Sequence, residues 1–418
     1  MSKAALVKKA TLISIGNEIL AGRTVDTNAA YLGAKLLGVG IPMVSGFTVG
    51  DDVEAIVKAL EQAADQADIV LVTGGLGPTD DDVTRHALAK FMGAELVLDE
   101  EMLGNIEAFF AGRDMEMPFK NKVQAYIPLG AKPLINKVGT APGITAEYDD
   151  RLFVCLPGVP IEMERMFTGS VLDGLREMGA GQVVITKRIK CFGAGESSIA
   201  GMLGNLMDRG RNPLVNCTAS RGVITLHIVA TASDKDAAEA MIEKDSDMLC
   251  GLLGELVYGF DDETLAEVVG KGLAGSGKRI AVAESCTGGL LAKMLTDAAG
   301  ASEYFIAGWV TYSNEAKVEQ LGVDEGLIAK HGAVSEQVAI AMAKGARKRA
   351  GSDVGIGITG IAGPSGASEQ KPVGLVYIAL AIGEREFVEK RVFSHSRAFI
   401  RYRAALTALN ILRKELKI

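Results

Sequence analysis

The chain has 418 residues, a formal net charge of −8 and 48% hydrophobic residues, enough length for two or three domains with cores of their own. An acidic balance without a basic face argues against a surface that tracks nucleic-acid phosphates. No apolar run reaches bilayer-spanning length, the basic start over 1–9 has no uninterrupted apolar region or cleavage site, and the five cysteines are odd in number and unclustered. The expectation is a cytoplasmic protein with reduced thiols, no membrane association, and neither a disulfide framework nor a zinc site.

The first part alternates strands and helices: a strand over 10–15, a helix over 27–37, a strand over 41–48, a helix over 53–64 and a very apolar strand over 68–73. Such alternation predicts a parallel sheet covered on both faces, with ligands at the carboxyl ends of the strands. Polar motifs fall at those ends. Gly16-Asn17-Glu18 follows the first strand, and Gly74-Gly75-Leu76-Gly77-Pro78-Thr79-Asp80-Asp81-Asp82 follows the third. A turn with Gly75 and Gly77, closed by three carboxylates, can hold phosphate on its amides and a divalent cation on its oxygens, which suits a pyrophosphate–metal substrate. Alternatively, Asp80, Asp81 and Asp82 simply cap a helix over 83–92.

A different grammar follows: a strand over 182–191, a helix over 196–207, an alternating strand over 222–231 and a helix over 235–252. This predicts an α+β module, sheet on one side and helices on the other, suited to packing or dimerisation. His227, between Leu226 and Ile228, reads as structural, and Arg209, Arg211 and Arg221 as a solvated patch. The acidic turn Gly259-Phe260-Asp261-Asp262-Glu263 marks a boundary.

Beyond it come two blocks, Ala283-Glu284-Ser285-Cys286-Thr287-Gly288-Gly289 and Thr311-Tyr312-Ser313-Asn314-Glu315-Ala316-Lys317. A strand over 278–283 and the helical spacing of Leu290, Leu291, Met294 and Leu295 put Ser285 in a strand-to-helix turn. Thr287 can cap that helix, and Gly288 and Gly289 leave its first amides open to an anion or a developing oxyanion. The second block repeats the design with a strand over 305–310, Ser313 or Asn314 as cap, and Lys317 in the first helical turn. A helix N-terminus and burial both lower a lysine pKa, which fits Lys317 to take a proton from a serine hydroxyl. The plain alternatives are a capping serine and a solvated lysine. A buried strand over 355–359, ending at Thr359, leads into a loop over 360–366. There Gly360 and Gly363 either let amides approach a phosphate or make a tight turn. Ser394, Arg397 and Arg401 stand near the start of the last helix, the two arginines four apart on one face, as a phosphate clamp or an exposed face. Cys286 with His331 or His395 is a competing nucleophile and base.

The two blocks, with Gly357-Ile358-Thr359-Gly360-Ile361-Ala362-Gly363-Pro364 and Lys371-Pro372-Val373-Gly374, resemble the C-terminal domain of the CinA family, the nicotinamide-mononucleotide amidohydrolase. The resemblance runs from about residue 263 to the end. It implies a Ser/Lys hydrolase that needs no cofactor and converts nicotinamide mononucleotide to nicotinic acid mononucleotide and ammonia. Ser285 matches the nucleophile and Lys317 the base, with Tyr312 beside it, and the family places phosphate-binding arginine in the Arg397–Arg401 region.

The first part is similar to the other half of that family, whose fold is shared with molybdopterin-cofactor biosynthesis proteins, over about residues 8–170. It extends through Val138-Gly139-Thr140-Ala141-Pro142-Gly143 and Leu156-Pro157-Gly158-Val159-Pro160-Ile161-Glu162-Met163. It implies an ADP-ribose pyrophosphatase dependent on a divalent metal (Mg or Co), with K+ as a further candidate. Glu18, Asp80 and Asp81 are the candidate ligands; Asn17 stands where many relatives carry Asp. Asn121 and Lys122, in a loop before a strand over 124–127, would contact substrate phosphates, unless Lys122 is an ordinary surface lysine.

The expected architecture is α/β: a molybdopterin-binding-like α/β domain over 1–170, a small α+β linking or dimerisation domain over 171–260, and a CinA-type α/β amidohydrolase domain over 261–418. The expected function is a homodimeric bifunctional hydrolase acting on nicotinamide mononucleotide and ADP-ribose. Alternatively, only the C-terminal site is active and the first domain is a nucleotide or pterin sensor.

Overall fold

The computed structural model describes residues 8–179 and 183–418; residues 1–7, and Gln182 at the start of one expected strand, lie outside the described residues. The chain divides into two compact units, one of 1–185 with 230–241 and one of 186–229 with 242–418.

In the first unit, β1 (Ala10–Ile15) lies between β2 (Met43–Val49) and β3 (Ile69–Thr73), all parallel. Alternate residues of β1 point to opposite faces. Ala10 and Leu12 join a cluster with Leu32 and Leu36 of the helix Thr27–Gly38, while Ile13 and Ile15 join one with Ile56 and Leu60 of the helix Val53–Ala64. Both faces are therefore covered, as the runs of apolar residues require. A short pair, β4 (Leu96–Leu98) and β5 (Tyr126–Pro128), stands apart from this sheet. The sheet is completed by β6 (Lys132–Leu134), β7 (Gly143–Tyr148) and β8 (Arg151–Leu156) in the order β2-β1-β3-β8-β7-β6.

The expected all-parallel sheet is thus mixed. β8 runs parallel to β3, but β7 pairs antiparallel with β8 and β6 with β7. The cause is the two-residue connection Asp149-Asp150, with φ 51° and 57°; positive φ at both central residues makes a type I′ hairpin, which reverses the chain directly. Two further expectations change. The helix Thr84–Met92 starts without any side-chain cap, so none of Asp80, Asp81 and Asp82 caps it. Residues 119–125 form a 3-10 helix, Phe119–Ala125, so Asn121 and Lys122 sit in helical turns rather than a loop.

The middle sheet has the order β10-β11-β9-β12, from β9 (Val183–Phe192), β10 (Leu214–Ser220), β11 (Val223–Ala232) and β12 (Val257–Phe260). The strands β10 and β12 were not expected; they account for the turns around Arg221-Gly222 and before the acidic boundary. The helix expected over 196–207 closes at Leu203 and continues as the 3-10 turn Gly204–Met207. His227 is a satisfied residue, Nε2 3.0 Å from Thr218 Oγ1. The arginine patch is not simply solvated: Arg211 pairs with Asp245 at 2.9 Å and Arg221 lies over the Tyr402 ring.

The last sheet has the order β14-β13-β15-β16-β17, from β13 (Ile280–Glu284), β14 (Phe305–Val310), β15 (Val354–Gly360), β16 (Leu375–Ile382) and β17 (Arg385–Val392). The first three strands in that order are parallel, so the turns after β14, β13 and β15 open side by side at their carboxyl ends. The helix Glu336–Ala350 approaches β15 so closely that a Cβ at Gly357 would fall 2.3 Å from Ala339 O, and one at Gly355 2.1 Å from Ala343 O.

This contact is backbone against backbone and cannot yield by a rotamer change. Gly357→Ala is therefore expected to destabilise the protein by about 1–3 kcal/mol through overpacking, read as a lower urea midpoint at unchanged slope. An unchanged midpoint would contradict the close approach.

Candidate active site

β13 ends in Glu284, a carboxylate only 1% exposed. It accepts hydrogen bonds from three backbone amides: Gly289 and Leu291 on Oε2, both at 3.1 Å, and Ala292 on Oε1 at 2.8 Å. Glu284, not Thr287, therefore caps the helix Leu290–Asp297, whose N-cap is Gly289 at φ 89°. The Thr287 hydroxyl is buried with no partner among the described residues. This corrects the expected role of the glycine amides. The Gly289 amide is taken by Glu284 and the Gly288 amide by Ser285 O at 3.2 Å. The amides of Cys286 and Thr287 make no hydrogen bond among the described residues and remain open donors beside Ser285.

Lys317 lies in the helix Asn314–Leu321, capped by Ser313, whose Oγ accepts from Ala316 N at 3.1 Å. It is 1% exposed, and Ser285 8%. Its Nζ stands 3.3 Å from Ser285 Oγ, 2.9 Å from Thr311 O and 3.3 Å from each of Tyr312 O and Ser313 O. Burial holds the Lys317 pKa below the usual lysine value. The three carbonyls favour an ammonium, but its three protons cannot serve them and Ser285 together. A neutral amine donates to two carbonyls and turns its lone pair to the serine hydroxyl.

Cys286 is a poor competitor. Burial pushes its thiol up to about 12. Neither histidine is paired with it: His331 gives its carbonyl to Lys371 at 2.9 Å, and the His395 ring packs edge-on against Phe399.

The last helix, Arg397–Leu416, is capped by Ser396, whose Oγ accepts from Phe399 N at 3.4 Å. Arg397 and Arg401 tie the three turns together. Arg397 donates to Gly363 O at 2.7 Å and Tyr312 Oη at 3.0 Å, and Arg401 to Thr287 O through Nε at 3.2 Å and Nη2 at 2.7 Å. Each guanidinium keeps N–H groups for a ligand, but both first act as latches. Tyr312, 60% exposed, stands at the rim. Thr359 is committed to Ala333 O at 2.8 Å. A Cβ would meet Leu375 O at 2.7 Å from Gly360 and Val373 Cγ1 at 2.6 Å from Gly363, so both glycines serve tight packing rather than open access.

The first unit has a separate cleft of about 410 Å³ at the ends of β1, β3 and β8, lined by Gly75, Gly77, Glu18 and Asp81. Asp80 is not among the lining residues, and neither are Asn121 and Lys122. Asn121 instead donates to Gln124 Oε1 at 2.8 Å, and Gln124, which does line the cleft, reaches Leu76 O at 3.5 Å. Gln124, Asp51 and Glu162 were missed as cleft residues, whereas Asp82, one of the three carboxylates read as possible cation ligands, does line the cleft; Arg85, buried below the glycine turn and donating to Leu76 O at 2.7 Å and Gly77 O at 2.6 Å, was missed too. An arginine on the apolar face of a helix was the available signal. Asp82 folds back onto Thr79, accepting from its N at 2.9 Å and from its hydroxyl at 2.5 Å. Among the described residues no three His, Cys, Asp or Glu side chains gather closely enough to hold an ion. Two hard oxygen donors, Glu18 and Asp81, fit a cation that arrives with substrate phosphates better than one caged by protein alone.

Residues 262–416 match the family profile described as "CinA C-terminal domain", 11–177 that described as "Probable molybdopterin binding domain", and 186–259 that described as "Damage-inducible protein CinA KH domain". A CinA-like protein of Kosmotoga olearia is 42% identical over 98% of this chain and 99% of its own length, and one of Syntrophomonas wolfei subsp. wolfei 42% identical over 98% and 99%. The chain belongs to the CinA family. A crystal structure of CinA from Thermoplasma acidophilum is 39% identical, covering 40% of this chain and 98% of that one, with TM-score 0.38. The expected α/β class, with a molybdopterin-binding-like first part and a CinA-type last part, is borne out. Among the described residues no helix is long and apolar enough to cross a membrane. All five cysteines are free.

Glu284→Gln removes the acceptor for at least one of the three helix amides while keeping the side chain's size. It is expected to cost about 1–3 kcal/mol of stability in denaturant unfolding. A variant as stable as the parent would mean that the amides find other partners.

Proposed function

We propose that this CinA-family chain is a bifunctional hydrolase, its C-terminal site deamidating nicotinamide mononucleotide and its N-terminal cleft cleaving ADP-ribose to AMP and ribose 5-phosphate. The observation that carries the first activity is the buried contact of 3.3 Å between Lys317 Nζ and Ser285 Oγ. The family resemblance supplies the substrate.

Neutral Lys317 takes the Ser285 proton as Oγ bonds to the amide carbon. The carbonyl electrons move onto oxygen, where the open amides of Cys286 and Thr287 would receive the charge. The Lys317 ammonium then protonates the departing nitrogen, the C–N bond breaks and ammonia leaves a nicotinoyl ester on Ser285. Water, deprotonated by the same amine, hydrolyses that ester. Remaining N–H groups of Arg397 and Arg401 would hold the 5′-phosphate, far from the scissile bond.

In the first unit, the amides of Gly75 to Gly77 would bind pyrophosphate, the Gly74 amide being taken by Leu156 O, with Gln124 and Arg85 fixing the turn. A divalent cation bound with the substrate would polarise its phosphoryl oxygens. Glu18 and Asp81, both exposed at the cleft, would hold that cation.

Ser285→Ala and Lys317→Met are each expected to remove nearly all deamidation, with the double variant scarcely worse, because the pair acts as one unit. Cys286→Ser should stay active. Full activity in folded Ser285→Ala protein would sink the mechanism.

The base must be neutral, so kcat/KM for deamidation should fall as pH drops through the lowered Lys317 pKa and level off above it. The plateau should begin below the ordinary lysine value of 10.5. A profile flat across the range where lysines of lowered pKa titrate would contradict Lys317 as base.

Chelation should abolish ADP-ribose cleavage and spare deamidation, and Asp81→Asn should mimic it. Equal loss of both activities would contradict two independent sites.

A further inference from the structure

Within the second unit a cavity of about 510 Å³ lies between the middle sheet and the helices of the last fold, away from Ser285 and Lys317. Its volume is that of a small-molecule site, which typically encloses about 300–1,000 Å³. Leu265, Leu290, Met294, Leu406 and Leu409 give it an apolar floor, and Tyr258 and Tyr402 contribute aromatic surface.

Four carboxylates and three cations line it, and they differ in how they are engaged. Every lining carboxylate is already engaged: Asp262 with Arg188 at 2.8 Å, Glu263 with Lys271 at 2.7 Å, Glu267 with Thr264 N at 2.7 Å, and Asp297 with Lys293 at 2.5 Å. Two lining cations have no carboxylate partner among the described residues. Lys190 contacts only the Thr225 hydroxyl, at 3.3 Å, and the Arg221 guanidinium lies 5.4 Å from the centre of the Tyr402 ring. Arg221 is held there by the turn of the β10–β11 hairpin, at φ 49°, and the following Gly222 gives its carbonyl to Arg403 at 2.9 Å. Tyr258 is more than nine-tenths buried, yet its hydroxyl makes no hydrogen bond among the described residues. Burial raises its pKa, so it stays a neutral donor. The hydroxyl itself keeps accessible surface, and Tyr258 lines the cavity, so it is free to donate to a ligand there.

We propose that this cavity is a second small-molecule site, for an organic anion of mononucleotide size whose phosphate or carboxylate meets Lys190 and Arg221 while its planar apolar body lies on Tyr402 and the leucine floor. The Tyr258 hydroxyl donates to that body. The site shares the last helix with the Ser285 turn: Tyr402 lines the cavity, and Arg401, one residue earlier, holds Thr287 O. It stands independently of the two activities proposed above.

The test is photolabelling of the full chain with 8-azidoadenosine monophosphate, followed by peptide mapping, with AMP and inorganic phosphate as competitors. Label is expected on peptides containing Tyr258, Met294 or Tyr402, protected by AMP and not by inorganic phosphate at the same concentration. Lys190→Gln and Arg221→Gln, both at the cavity rim, should each raise the AMP concentration for half-protection about tenfold. Label confined to the N-terminal cleft and the Ser285 turn would overturn the proposal, as would cavity label that neither variant weakens. Equal protection by inorganic phosphate would overturn the assigned ligand class, since a bare anion would then suffice.

Discussion

The C-terminal site depends on one buried carboxylate. Glu284 closes β13 inside the protein and takes the amides of Gly289, Leu291 and Ala292, which belong to the start of the next helix. A carboxylate buried this deeply is tolerated only when such donors surround it. Because the strand end and the helix start are bound to one side chain, the residues between them must loop out, and Gly288 and Gly289 supply the positive φ values, 60° and 89°, that the loop needs. Ser285 is thereby fixed at the mouth of the turn. The helix dipole is spent on Glu284, so charge developing at a substrate cannot draw on it. What remains for that charge is the pair of unengaged amides at Cys286 and Thr287.

A second constraint acts on Lys317. Three carbonyls from the turn after β14 crowd its Nζ, and Ser285 Oγ occupies the remaining direction. Removal from water and abundance of acceptors pull its pKa in opposite directions, and burial dominates. The arginines of the last helix hold this arrangement from outside, since Arg401 grips the carbonyl of Thr287 and Arg397 bridges Tyr312 to Gly363. Three turns that are far apart in sequence are clamped by side chains one helical turn apart. Their expected role as a phosphate clamp is compatible with this, but a substitution there disturbs the geometry of the turn as well as binding.

Much of this was legible in the residues. The β/α alternation of the first part, the strand-to-helix turn at Ser285, the Ser313 cap and the first-turn position of Lys317 all follow from local pattern, and local pattern is what the chain obeys there. The readings that failed are those settled by distant partners. Thr287 is a good cap by composition, but Glu284 reaches the amides first. Asp80, Asp81 and Asp82 are good caps too, yet Asp82 folds onto Thr79 and the helix begins uncapped. The antiparallel edge of the first sheet was set by a two-residue turn whose aspartates carry a weaker hairpin signal than glycine or asparagine. Gln124 could not be found by motif, and Arg85 showed only as a charge on the apolar face of a helix, because their task is to hold the carbonyls of a glycine turn.

The two sites use the same backbone device for opposite electrostatic ends. Each lies where adjacent parallel strands finish and glycine-containing turns bring remote residues together. In the C-terminal site the ionisable groups are sealed: Glu284 and Lys317 are each 1% exposed, and sealing is what keeps an amine neutral enough to accept a proton. In the N-terminal cleft Glu18 and Asp81 are exposed. If, as proposed, these carboxylates meet a cation, burial would work against them by disfavouring the charged form. The degree of burial at the end of the strand, more than the turn itself, therefore separates a site suited to proton transfer from one suited to metal and phosphate.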